Sequence, residues 1–267
     1  MVIANPIYDV VFKMMMENEK VAKFFIGTFL DETVVELEVK PHEFTYTNEG
    51  KGIALFRLDF VATIKTEAGE IKKILIEIQK ARNHVDLMRF RNYLEEQYKK
   101  IDVVNDEQVA LPITTVYILG FNLAEIGSPC LKVERNYIDL INKAFIKKKS
   151  DFIEKLTHDS FIVQIERITD KYGTKLEKLL SIFEQNHFID ENGITKKFNH
   201  ETDIEEIKIA TDILHYAGTG PDERKKIEIE QEGWRSINAI IEGRDKALIE
   251  KDKKLDEKDK ELDEKDK

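Results

Sequence analysis

The run Ile74-Leu75-Ile76-Glu77-Ile78 constrains the fold more than any other stretch of the chain. Aliphatic and β-branched residues at every position but one read as a β-strand. A carboxylate inside such a strand is costly unless a cation, a metal or hydrogen bonds compensate it. A second β-rich run, Leu58-Asp59-Phe60-Val61, precedes it, and the polar segment Thr66-Glu67-Ala68-Gly69-Glu70 lies between them. This order predicts a β-hairpin with one acid on each arm. A hairpin sets distant positions side by side, so Asp59 and Glu77 are candidates to face each other. A one-residue slip in register would send them to opposite faces. Two facing carboxylates repel unless something positive sits between them, and a hard divalent cation with oxygen ligands suits that place.

Asp59 followed by Glu77-Ile78-Gln79 resembles the PD-(D/E)XK nuclease superfamily, and within it the transposase-like, recombination-promoting branch, where glutamine often replaces the motif lysine. Asn5-Pro6-Ile7-Tyr8-Asp9-Val10-Val11-Phe12-Lys13 resembles that branch's opening helix, and Arg89, Tyr93 and Tyr98 resemble its Arg-then-Tyr helix. The resemblance covers roughly the first half of the chain. It implies a restriction-endonuclease-like α/β fold, a mixed β-sheet core flanked by helices. It also implies a Mg2+-dependent (or Mn2+-dependent) deoxyribonuclease, with Asp59, Glu77 and the Ile78 carbonyl as metal ligands. Gln79 would orient the water, and Asp9 would be an auxiliary acid. A role in recombination, mobile elements or phage defence is implied in the same way.

Glutamine at position 79 changes the chemistry expected of the site. Its amide orients a water by hydrogen bonds but carries no charge, so more of the electrostatic stabilisation falls to the metal. This substitution also supports an alternative, a weak or inactive nuclease fold kept as a DNA-binding or oligomerising module. Between Lys80 and Lys100 six basic residues stand against three acidic ones. Arg82, Arg89 and Arg91, with Tyr93, are the candidate DNA contacts, since phosphate contacts come chiefly from such side chains. Asp9 and Lys13 also have the spacing of an ordinary i,i+4 ion pair.

The chain carries a net charge of −10, which argues against indiscriminate coating of nucleic acid but leaves room for a local basic channel. One cysteine, Cys130, excludes an intramolecular disulfide and a cysteine-based zinc cluster. Met-Val-Ile-Ala-Asn-Pro does not read as a signal peptide. No apolar run has the ~18–20 residues of a membrane span. The expectation is a cytoplasmic protein with no membrane partner.

The expected elements begin with a helix opening at Asn5-Pro6 and a second over about 19–30. A strand over 34–39, the β core of 41–80, a helix over about 84–100 and a buried strand over 113–120 follow. The 84–100 helix is expected to bury Leu87, Phe90, Leu94, Tyr98 and Ile101. Residues 132–149 hold six basic and two acidic residues, a further candidate DNA-flanking segment. Beyond Ser150 a short strand at 161–165 and helices over 176–188 and 204–216 are expected. Ile227, Trp234, Ile241, Leu248, Leu255 and Leu262 recur every seven residues, which argues for a coiled coil pairing two copies. The expected division is a nuclease-like core over 1–150, a mainly helical accessory region over 151–220, and a long C-terminal helix over 221–267.

Overall fold

A computed structural model describes residues 1–39, 44–48, 52–56, 60–79, 84–169, 171–233 and 235. It has two compact units, 1–220 and 221–267. In chain order the first unit opens with β1 (Val2–Ala4), α1 (Asp9–Met16), α2 (Glu19–Leu30), β2 (Val34–Val39) and the pair β3 (Phe44–Asn48) and β4 (Gly52–Phe56). Then come β5 (Phe60–Thr66), β6 (Ile71–Gln79), α3 (His84–Lys99), the short hairpin β7 (Asp102–Val104) and β8 (Glu107–Val109), and β9 (Ile113–Leu119). The remainder is β10 (Cys130–Val133), β11 (Tyr137–Asp139), β12 (Ala144–Ile146), α4 (Asp151–Leu156), β13 (His158–Gln164), α5 (Lys175–Leu180), β14 (Thr195–Lys197) and α6 (Glu205–Thr219).

Six strands form one mixed sheet in the order β10-β13-β9-β6-β5-β2. The three central strands β6, β9 and β13 run parallel, while β5, β2 and β10 are antiparallel to their neighbours. Central parallel strands are covered on both faces, which is why Ile74–Ile78 and Val116 are buried. One face carries Phe161, whose ring lies 5.7 Å from Phe29 of α2. Behind it Phe12, Phe25 and Phe183 pack as a cluster of tilted and edge-on rings. The opposite face carries Val61, Leu75 and Ile113, packed on Phe90 and Tyr93 of α3. The result is a helix–sheet–helix sandwich. Each fully buried Phe or Leu contributes about 1.5–3 kcal/mol.

Local chemistry sets the boundaries. Asn18 caps α2 by accepting from Val21 N at 3.2 Å, and Asp31 ends it in the left-handed region at φ 55°. The first helix starts later than expected, at Asp9. Asn5 is buried, and its side chain accepts from Ile7 N while donating to Gln185 Oε1 and the Gly193 carbonyl. It closes a turn and ties the N-terminus to a distant loop instead of opening a helix.

Two further expectations are corrected. Residues 151–220 are no accessory region, because β13 is inserted between β9 and β10 and so belongs to the central sheet. A parallel strand has no local partner and its place is set by the sheet. The inward stripe of α3 is Phe90, Tyr93 and Gln97, while Leu87, Tyr98 and Ile101 are exposed. Buried Lys73 of β6 donates to the Gln97 backbone carbonyl at 3.0 Å and pairs with Asp102, just past the end of the helix, at 2.7 Å. In the second unit residues 221–233 are helical, as expected after Pro221. The later heptad positions lie outside the described residues.

Candidate active site

The β5–β6 ladder is antiparallel and pairs Lys65 with Ile71 through to Phe60 with Ile76. Glu77 is the next residue of β6. Asp59, the other acid of the expected pair, lies outside the described residues, as does Arg82. Glu77 is 2% exposed, on the α3 face of the sheet, two residues along from Leu75. Gln79, on the same face, is half-buried at the last position of β6. Ile78 points to the opposite face, that of Phe161, and is buried.

The parallel neighbour completes the surroundings. Tyr117 of β9 is the register partner of Glu77. Its ring lies 4.3 Å from that of Phe90, which fixes it against α3. Burial, reinforced by the negative charge of Glu77, pushes the Tyr117 hydroxyl well above the ordinary phenol range. The phenol stays protonated beside the acid. Sequence reading did not single out Tyr117, because only the register of the parallel ladder brings it to Glu77.

The carboxyl ends of the parallel strands open on a cleft of about 510 Å³, bordered by Ile7, Gly120, Ile165, Glu166, Asn186 and Phe188 among others. Gly120 donates its N–H to the Gln79 carbonyl at 2.8 Å, so this cleft adjoins the end of the Glu77 strand. Clefts outside the carboxyl ends of parallel strands are the usual binding places of open α/β sheets. A second cleft, about 520 Å³, lies at the other end of the sheet beside Ile71 and Ile113. There Arg135 is held by Glu154 at 2.8 Å and Asp159 at 3.1 Å, a set of charges that satisfies itself.

The other candidates divide. Asp9 opens α1, two residues after Ile7 of the cleft, and pairs with Lys13 at 2.8 Å. Arg91 is exposed on α3. The backbone of Arg89 lies in α3, and its side chain is outside the described residues. Tyr93 is 2% exposed within the core cluster of Val61, Leu75 and Phe90. Its ring serves packing and offers no surface to DNA, which corrects its place among the DNA contacts. Among the described residues no group of three or more His, Cys, Asp or Glu converges as metal ligands. No helix among them is long and apolar enough to cross a membrane.

Compared with family models, curated proteins and solved structures, the chain finds no match. What the fold itself defines is a class, an α/β sandwich around a six-stranded mixed sheet with a buried acid near the carboxyl end of a central strand.

Proposed function

We propose that the chain is a metal-dependent DNA endonuclease of restriction-endonuclease-like fold. The observation that carries the reading is Glu77, a carboxylate 2% exposed inside the apolar run Ile74–Ile78 of β6. The hairpin the sequence predicts around it is present, with its described ladder running from Lys65↔Ile71 to Phe60↔Ile76. The cleft at Gly120 adjoins the end of the Glu77 strand without being lined by Glu77 or Gln79.

Asp59, Glu77 and the Ile78 carbonyl would hold Mg2+ or Mn2+, since hard oxygen donors match those ions. The cation would supply Lewis-acid stabilisation of charge on the phosphoryl oxygens. Gln79 orients the attacking water through its amide. The water oxygen bonds to phosphorus, the bond from phosphorus to the 3′ oxygen breaks, and the proton passes to the leaving side through solvent. A 5′-phosphate and a 3′-hydroxyl result. Arg91, with Arg82 and Arg89, steers and positions the phosphate backbone. Asp9 is retained as an auxiliary acid, shared with Lys13. The C-terminal heptads pair two copies, which suits cutting both strands, in a cytoplasmic setting.

The uncharged Gln79 favours one second reading, a nuclease fold that binds DNA without cutting it. Purified protein incubated with supercoiled plasmid and Mg2+, Mn2+ or EDTA separates the two. Metal-dependent nicking that disappears in Asp59→Asn supports the endonuclease. Binding without nicking in either metal supports the second reading.

A further inference from the structure

A cleft of about 190 Å³ beside β14 is bordered by Glu184, His187, Lys197 and Asn199 among others. It is smaller than the roughly 300–1,000 Å³ of clefts that take drug-sized organic ligands, and has room for about six waters at ~30 Å³ each. The backbone places its side chains. Lys197 N donates to the His187 carbonyl and Ile189 N to the Thr195 carbonyl, both at 3.0 Å, and Phe188 bridges to Lys196. His187 therefore stands opposite Lys197 on a neighbouring antiparallel segment, within reach on one face. Phe198 continues the strand by bonding Met1 through both its N–H and its carbonyl. Alternation follows, with Lys196 and Phe198 buried and Lys197 and Asn199 exposed. His187, Lys197 and Asn199 thus share one face.

The acid bordering the cleft is already engaged. Glu184 is 5% exposed, and its Oε1 accepts from the Asn186 N–H. Its Oε2 lies 2.9 Å from His187 Nδ1. A carboxylate only accepts, so Nδ1 is the donor, and Glu184 fixes the orientation of the ring. The other ring nitrogen, Nε2, has no partner among the described residues. It can donate to an anionic oxygen as imidazolium or accept from a protonated one. The Lys197 ammonium and the Asn199 amide also have no partner among the described residues. His200 forms a braced wall, stacked on Tyr172 at 4.1 Å and edge-on to Phe198 at 5.4 Å. Buried Lys196 pins the backbone of Ser181 and Glu184 by donating to both carbonyls.

We propose that this cleft binds a phosphate-sized oxyanion, either free phosphate or the terminal phosphate of a larger molecule. The chemistry of the lining selects it. An ammonium, an imidazole and a carboxamide face the cleft, and the carboxylate beside them is bonded twice within the protein, so donors are in excess. Charge-assisted hydrogen bonds to phosphate oxygens are short and roughly twice as strong as neutral ones. A metal cation does not suit the place, since among the described residues no three His, Cys, Asp or Glu converge as ligands. The cleft beside Ile113 offers a contrast, because its basic residues Lys72, Arg135, Lys149 and Lys155 are each paired with an acid. A ring and a wall fixed in advance bind with little ordering cost. The inference does not depend on the nuclease reading.

Titration of the full chain with inorganic phosphate in EDTA tests it, followed by calorimetry and by the ring signals of His187 and His200 in NMR spectra. Saturable binding with Kd on the order of 1 mM or tighter is expected, with both ring signals moving along the same curve. Lys197→Gln and Asn199→Ala change exposed side chains, so the circular dichroism spectrum should not change. Lys197→Gln is expected to weaken phosphate binding about tenfold or more and Asn199→Ala about threefold. Lys147→Gln, at another exposed lysine, should leave it unchanged. A 5′-phosphorylated oligonucleotide, set against the same sequence with a 5′-hydroxyl, identifies the source. A preference for the phosphorylated end that is lost in Lys197→Gln supports a terminal phosphate. Equal binding of the two, with inorganic phosphate still moving the His187 signal, supports the free ion. No saturable movement of the His187 signal overturns the proposal, and so does a phosphate affinity unchanged in Lys197→Gln.

Discussion

Tyr117 stands directly opposite Glu77 in the parallel ladder between β6 and β9. Its phenol is kept protonated by burial and by the acid beside it. On the proposed nuclease reading, a phenol that stays protonated beside the acid would act as a positioning residue for Glu77. Tyr117→Phe keeps the ring contact with Phe90 and removes only the hydroxyl. We expect kcat of metal-dependent cleavage to fall about tenfold with KM unchanged, and stability to change by less than ~1.5 kcal/mol, the net worth of one hydrogen bond. Equal kcat in the two proteins would show that the phenol is not coupled to the acid.

If Glu77 holds a divalent cation, the cation stabilises the folded chain by mass action. At a Mg2+ concentration a hundred times Kd the wild type gains about 2.7 kcal/mol. For a domain of this size that is a rise in Tm of roughly 5–10 °C. Glu77→Gln has nearly the same shape but is a poor ligand, and its Tm should not respond. Thermal melts with Mg2+ and with EDTA check this, and a Mg2+ response retained by Glu77→Gln places the cation elsewhere.

Lys73 is 3% exposed and lies 2.7 Å from Asp102. Removing one member of a buried pair strands the other charge, at a cost of about 3–5 kcal/mol. Lys73→Met should lose about that much in a denaturant titration. Lys73→Met with Asp102→Leu should lose clearly less, because no charge is left uncompensated. Additive losses would show that the two side chains do not act as a pair.

Lys196 is buried, donating to the Ser181 and Glu184 carbonyls, and burial lowers its pKa to about 7, partly opposed by Glu184. In the unfolded chain the same lysine titrates at its ordinary value near 10.5. Between these values the unfolded state binds more protons, so stability rises with pH across this window and is lost as pH falls through about 7. Relative to Lys196→Met, the wild type should gain on the order of a few kcal/mol between pH 7 and pH 10, at 1.36 kcal/mol per unit. Denaturant titrations at the two pH values decide it. Parallel profiles for the two proteins would contradict the shift.

Much of the sheet is legible in the sequence where its signals are local. Asn18, the phenylalanines after it and Asp31 mark α2 from end to end, because capping and helical spacing act within one element. The strands around Glu67–Glu70 and the buried β9 are legible for the same reason. The face of α3 is not. Apolar spacing points to Leu87 and Tyr98, yet Gln97 is buried, and a buried lysine 24 residues earlier bonds its backbone carbonyl. The membership of β13 in the central sheet and the approach of Tyr117 to Glu77 both rest on parallel pairing, which leaves no trace in neighbouring residues. The acid at 77 was readable as an anomaly, and only the register could say what stands across from it.

The measurement that tests the central claim most directly is plasmid cleavage by wild type and Glu77→Gln, purified side by side and supplied with Mg2+ or EDTA. The account predicts nicked and linear DNA from the wild type with Mg2+ and none with EDTA. It predicts at least a hundredfold less from Glu77→Gln, with ends that carry a 5′-phosphate and a 3′-hydroxyl. Cleavage that survives in Glu77→Gln, or a wild type inert in Mg2+ and Mn2+ alike, would contradict it.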